Sequence, residues 1–335
     1  MTERVRQFLR SPVLWPLAGI ALLLIANLIL KPGFLNITVL DGHLYGLPID
    51  VLNRGAKTLI LALGMTLVIA TGGVDLSVGS VVAITGAVAA ALIGQGTDSL
   101  ALIVAGALGA GALAGLANGL LVARLGVQPI VATLILMVAG RGVAQVLTDG
   151  QVLIIKHPGF DFLGNGFVLG LPFTIVCATL LYLAAHAALR RTAGGMFIEA
   201  VGDNPEASRF AGLATARIKI LVYVVCGFCA AIAGIMEAAN IGAADAQRAG
   251  ENMELDAIFA VVVGGTALAG GRFLLLGSFV GALLLQMLIT TMYNLGVPPA
   301  VAPVPKALLI LTVCLLQSDR TRRWFGGLWR GKPAS

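Results

Sequence analysis

Charge is scarce in this chain. Asp, Glu, Lys and Arg make up 11% of its 335 residues, against 58% hydrophobic residues and a mean hydropathy of +0.96. A soluble domain carries about a quarter charged residues, so soluble folds are excluded. Reactive side chains are scarce too. The three histidines, His43, His157 and His186, are scattered, and neither a nucleophile elbow nor an HExxH pattern occurs. The four cysteines, Cys177, Cys226, Cys229 and Cys314, lie inside apolar segments. Cys226 and Cys229 share a helical face without a second CxxC, which argues against a metal and for small packing residues. A formal GxxxxGK match runs from Gly326 to Lys332, but Pro333 stands where the magnesium-binding Ser or Thr belongs and no strand precedes it. The chain therefore has no visible source of chemical energy and does not read as an enzyme. The alternating pattern of a membrane barrel is also absent.

What is present is a succession of apolar runs close to the ~20 residues that cross a hydrocarbon core. In lipid, backbone groups must be satisfied within each segment, so these runs are helices. The expected fold class is an all-α polytopic membrane protein with about ten transmembrane helices, forming a single domain over 1–335. The crossings are placed at 13–30, 52–71, 76–94, 100–122, 130–148, 171–189, 219–239, 257–270, 273–292 and 305–317, the eighth and tenth being short. Arg4, Arg6 and Arg10 precede the first run, which has no small-residue cleavage site and resembles an anchor. With both termini cytoplasmic, basic residues gather on the inner side: the three N-terminal arginines, Arg124, Arg190, Arg191, Arg209, Arg217, Lys219, Arg272, and the tail's Arg320, Arg322, Arg323, Arg330 and Lys332. That bias accounts for the net charge of +6 without a nucleic-acid partner. Residues 190–218 form a cytoplasmic loop whose polarity points to a docking role. Residues 318–335, with Trp324 and Trp329, form a basic tail on the inner surface.

The outward loops 31–50, 149–170 and 241–256 are polar, and composition leaves both a partner surface and ordinary solvated loops open. Gly150, Pro158, Gly159, Gly164 and Gly166 make 149–170 a turn-rich cap in which a helix is not expected. Gly111, Gly115 and Gly119 recur every four residues and offer a smooth stripe, read as packing within one subunit rather than a dimer seam. Gly72 and Gly73 precede Asp75, while Gly264, Gly265, Gly270 and Gly271 interrupt and end the eighth crossing. Paired breaks of this type mark transport pathways in carriers, and 51–148 and 219–317 have the outline of a diverged repeat.

Polar groups inside the spans narrow the pathway to four candidates: Asn53, Asp75, Arg141 and Gln145. A charge at mid-depth costs roughly 2.5–3.5 kcal/mol, so Arg141 should face protein or water, either lining the route with Gln145 or bracing two helices. Asn53, Arg54 and Lys57 open the second crossing, and Lys57 is expected to snorkel to the headgroups. Asp75 suits the free backbone donors of the following helix start.

Three segments carry a resemblance. Gly64-Met-Thr-Leu-Val-Ile-Ala-Thr-Gly-Gly-Val-Asp-Leu-Ser-Val-Gly79, Glu199-Ala-Val-Gly-Asp-Asn-Pro-Glu-Ala-Ser-Arg-Phe-Ala-Gly-Leu213, and Glu254-Leu-Asp-Ala-Ile258 followed by Gly264-Gly265 resemble the permeases of ribose-type sugar ABC importers. The likeness spans nearly the whole chain. Within that family, Asp41 to Asn53 and Ala132 to Gln145 look most like the galactofuranose permeases of bacteria. The resemblance implies a type II ABC importer-like permease fold with discontinuous helices in the bacterial inner membrane. It also implies contact with a separate ABC ATPase through Glu199, Gly202, Asn204, Ala207, Arg209 and Gly212. Asn204 and Pro205 independently read as a helix cap and first turn, while Ser208 departs from the family's usual pair of alanines. Implied partners are that ATPase with its ATP and Mg, a second and related permease subunit, a periplasmic sugar-binding protein and a monosaccharide; no cofactor or metal is expected on this chain. An ion-coupled secondary sugar transporter is the alternative, and it should show paired carboxylates within the bundle; a membrane scaffold should show no polar pathway.

Overall fold

A computed structural model describes residues 13–298, 301 and 303–317. Expectations for residues 1–12 and for the tail at 318–335 lie outside the described residues. The described helices are α1 (Leu14–Leu30), α2 (Leu47–Ala70), α3 (Val78–Gly94), α4 (Leu100–Ala123), α5 (Pro129–Leu147), α6 (Pro158–Asn165), α7 (Phe173–Arg191), α8 (Gly194–Asp203), α9 (Pro205–Phe210), α10 (Thr215–Ile241), α11 (Met253–Val263), α12 (Leu275–Asn294) and α13 (Pro303–Gln317). Six of them, α2, α4, α5, α7, α10 and α12, are long and apolar enough to cross a membrane, and α1 and α3 are shorter apolar helices. Each of the ten expected segments holds a helix. The eighth is shorter than expected, because the chain leaves the helix at Val263 and Gly265 takes φ +92°.

The core sits on α2. Every residue from Leu59 to Ala70 is buried, as a helix apolar on all sides requires. Around it pack α7, α10, α11 and α12, and α10 also contacts α3 and α4. One of the close approaches is between α4 and α10. A Cβ added at Gly115 would lie 2.3 Å from Tyr223 O, one at Gly111 2.6 Å from Gly227 O, and one at Gly119 2.9 Å from Ile220 Cα. Gly227 answers from the other side, its added Cβ falling 2.2 Å from Gly111 O. The glycine stripe is thus consumed within the subunit, where it lets two backbones touch.

The loops depart from the all-helical expectation in two ways. Three antiparallel ribbons of two or three residues per strand form: β1 (Thr38–Leu40) with β2 (His43–Tyr45), β3 (Leu153–Ile154) with β6 (Ala243–Ala244), and β4 (Phe167–Val168) with β5 (Leu171–Pro172). The segment 149–170, expected to lack a helix, contains α6. His157 caps it, its Nδ1 accepting from Phe160 N at 3.1 Å, Pro158 supplies the first turn, and Phe160 is buried. Gly164 lets α6 lie against α10, since an added Cβ would fall 2.3 Å from Asn240 N.

The breaks at Gly72 (φ +77°) and at Gly270 and Gly271 (φ +90° and +89°) come together: Gly271 N donates to Ala70 O at 2.9 Å, and a Cβ on Gly270 would lie 2.8 Å from Gly72 N. The two interrupted helices therefore share one joint.

The α4–α10 contact generates a direct test. Gly115→Leu should lower the thermal midpoint of the detergent-solubilised protein by more than the ~1–3 kcal/mol typical of an overfilled core can explain, because the obstacle is backbone. Gly109→Ala, with nothing within 4 Å of the added carbon, should leave the midpoint unchanged or raise it slightly.

Candidate functional site

The basic segment after α7 folds as two short helices that lie against the shared joint. Thr192 turns the chain, its hydroxyl donating to Ala188 O at 2.5 Å and accepting from Gly194 N at 3.1 Å. Between α8 and α9 the cap read from the sequence is present: Asn204 Oδ1 accepts from Ala207 N at 2.9 Å, with Pro205 in the first turn. Gly212, at φ +88°, ends α9, and Leu213 N reaches back to Ser208 O at 3.0 Å. Ser208 is buried and its hydroxyl donates to Ala200 O at 2.8 Å. The departure from a pair of alanines therefore faces inward, where it fastens α9 onto α8.

Away from that contact, Glu206, Ala207 and Arg209 are exposed and Phe210 is 90% exposed, and on α8 Met196 and Phe197 are exposed as well. Large exposed apolar side chains among charges are of the kind that receive a partner. The six residues expected to meet an ATPase thus separate into layers. Ala207, Arg209 and Gly212 lie outside. Asn204 is committed to its cap, and Glu199 is half-buried. Gly202 has an internal neighbour, since an added Cβ would lie 1.8 Å from Ala70 O and 2.5 Å from Gly271 N. Here α8 rests on α2 and on the α11–α12 turn by backbone alone.

The four pathway candidates do not form one cluster. Asn53, in the first turns of α2, accepts a hydrogen bond from the Thr174 hydroxyl at the start of α7. Asp75 lies beyond the other end of α2, ~26 Å of helix away at 1.5 Å per residue. It is 1% exposed, and its Oδ1 accepts from Ser77 N (2.9 Å), Ser77 Oγ (2.6 Å) and Asn118 Nδ2 (3.3 Å). This is the structural role anticipated for it, locking the entry to α3. Arg141, on α5, donates through Nη1 to Ala246 O at 3.2 Å and to Ala249 O, so it braces the loop after α10. Gln145, one turn on, is half-buried, and its side chain makes no hydrogen bond among the described residues.

Lys57 corrects an expectation. It does not snorkel but pairs with Glu237 of α10, the two side chains being 17% and 16% exposed. A carboxylate within reach satisfies the ammonium without stretching it to the headgroups. Lys306 of α13 is likewise held by both carboxylate oxygens of Asp256 in α11, at 2.8 and 2.7 Å. Glu237 and Asn118 were not singled out from the sequence. Glu237 carried a usable signal, as an acidic residue inside the seventh apolar run.

With this geometry in view, comparison with known proteins is informative. One family, described as the permease component of branched-chain amino acid transport systems, matches residues 47–314. The chain is 51% identical to a galactofuranose transporter permease protein of Escherichia coli (strain K12) over 311 residues, 91% of each chain. It is 40% identical to a fructose import permease protein of Bifidobacterium longum (strain NCC 2705), over 94% of this chain and 90% of that one. It is 38% identical to a ribose import permease protein of Escherichia coli (strain K12), over 94% and 97%. No solved structure matches the chain.

The backbone seat of α8 predicts a contrast between two glycines. Gly202→Ala should sharply reduce the yield of folded protein measured by monodispersity in detergent, because the added carbon meets a carbonyl. Gly212→Ala, with open space around it but a positive φ, should cost about 1–2 kcal/mol and leave the yield nearly intact.

Proposed function

The chain belongs to the family described as the permease component of branched-chain amino acid transport systems, and from that premise we propose that it is the membrane-spanning subunit of an ABC importer for a monosaccharide. The observation that carries this reading is the series of sugar permeases matched over nine-tenths or more of both chains. The greater identity to the galactofuranose permease than to the fructose and ribose permeases favours galactofuranose, or a furanose like it, as cargo.

In this reading the chain crosses the bacterial inner membrane ten times with both termini in the cytoplasm. ATP and Mg are bound by a separate ATPase, a periplasmic protein delivers the sugar, and a second, related permease completes the path. The exposed edge of α9, with Ala207, Arg209 and Phe210, enters the ATPase. Gly212 closes α9 on the same outer side, while Glu199, Gly202 and Asn204 act one layer behind, setting the pose of α9 against the joint at Ala70 and Gly271. The ion-coupled alternative needs facing carboxylates; three of the acids within the described helices and their breaks are instead tied separately, Glu237 to Lys57, Asp256 to Lys306 and Asp75 to Ser77 and Asn118.

Reconstitution tests the reading. Proteoliposomes holding this chain with its ATPase and second permease should take up sugar only with ATP inside and loaded binding protein outside; uptake that needs neither but follows an imposed ion gradient would contradict it. Ala207→Asp places a charge on the outward edge of α9, so it should abolish uptake and co-purification of the ATPase while folded yield stays within about twofold. The small effects usual for surface substitutions justify that bound.

A further inference from the structure

Glu237 sits where an apolar helix should not carry charge. Its carboxylate takes Lys57 on one oxygen, Oε2, while the other, Oε1, accepts no hydrogen bond among the described residues. Beside it lies a cavity of about 240 Å³ between α3, the last turns of α10 and the loop after α10. That is well above the ~10–15 Å³ that one water needs on the same measure, so the space can take a small ligand. Its walls are apolar, from Val82, Gly86 and Ala238, and its polar groups are Glu237, Asp245 and Arg248. Asp245 Oδ1 accepts from Gln247 N and Arg248 N, at 3.0 and 3.1 Å, which fixes the turn. The Arg248 guanidinium is exposed and has no partner among the described residues.

We propose that this cavity is the outward seat for one monosaccharide, with Glu237 accepting from its hydroxyls and Arg248 donating to them. The proposal rests on the importer reading and names the cargo contacts within it. The chemistry suits a sugar, whose hydroxyls donate to a carboxylate and accept from a guanidinium while its C–H face lies on apolar walls. It also suits a transit site, because two polar contacts hold a ligand weakly enough to release it. Lys57 is a positioning residue: by engaging Oε2 it orients the carboxylate and leaves Oε1 free. Arg141 is another, since its bonds to the Ala246 and Ala249 carbonyls hold the loop that carries Asp245 and Arg248. The β3–β6 ribbon pins the same loop at Ala243 and Ala244. Arg141 therefore acts on the route without touching sugar.

The test uses the reconstituted transporter with its binding protein and ATP. The probes are radiolabelled galactofuranose, fructose and ribose, and the monodeoxy analogues of whichever is carried. For Glu237→Gln, uptake of the parent sugar should fall about tenfold, the loss of one charge-assisted hydrogen bond. At least one deoxy analogue should be nearly unaffected, so the parent-to-analogue ratio collapses. Loss of folded protein lowers both rates together and does not move that ratio. Arg248→Ala removes an exposed side chain with no packing role and should collapse the ratio for a different analogue, which keeps the test decisive if Glu237→Gln folds poorly. Unchanged ratios in both variants, with the unmodified transporter active, would overturn the sugar seat alone. Failure of the unmodified transporter to carry any of the three sugars would overturn the importer reading and the seat with it.

Discussion

Backbone-to-backbone contact is the constraint on which this structure depends. Between helices in lipid there is no hydrophobic drive, so association relies on close packing, and the closest packing is available only where side chains are missing. Gly111, Gly115, Gly119 and Gly227 place the backbones of α4 and α10 in contact, with the Ala231 methyl the side-chain atom nearest Gly111. Gly202 and Gly270 do the same where α8 meets the end of α2 and the α11–α12 turn. The first set holds the bundle together, and the second ties the exposed α8–α9 pair to the two interrupted helices. In the proposed importer, a push on α9 would reach the core through atoms that have little room to yield.

A second constraint is the cost of charge within the bundle. Four polar groups there are matched to specific partners: Lys57 to Glu237, Lys306 to Asp256, Arg141 to two carbonyls, and Asp75 to Ser77 and Asn118. Breaking one partner of a buried pair is expensive, whereas an apolar replacement of both is often neutral. The persistence of these pairs in an otherwise apolar chain is therefore better explained by use than by stability. Lys57, Glu237 and Arg141 all converge on the end of the bundle where the loop after α10 closes a cavity.

Local features were legible in the sequence because their physics is local. The helical segments follow from hydropathy, the α9 cap from Asn204-Pro205, and the glycine stripe from its four-residue spacing. The family likeness carried by Glu199 to Leu213 could also be read directly. What was not legible depends on distant residues meeting. Lys57 and Glu237 are 180 positions apart, and a lysine near a helix end reads as a snorkel until its partner is seen. Gly202 reads as a docking residue until Ala70 and Gly271 are found beneath it. The helix at 158–165 was hidden by its glycines, although His157, Pro158 and the buried Phe160 supply a cap, a first turn and an anchor. The four pathway candidates share polarity but not location, and only the folded chain separates the Asp75 lock from the Arg141 brace.

The central claim is that α8–α9 and the α11–α12 turn move as one body, joined through Gly202 and Gly271. A Cβ on Gly271 would lie 3.8 Å from the Cβ of Asp203, and Arg272 follows one residue on. Cysteines at 203 and 272, in a background without the native cysteines, can be joined by a short thiol-to-thiol linker and ATP-driven sugar uptake then measured in proteoliposomes. The account predicts efficient joining and uptake equal to that of the unjoined protein. Failure to join, or joining that stops uptake while ATP hydrolysis continues, would contradict it.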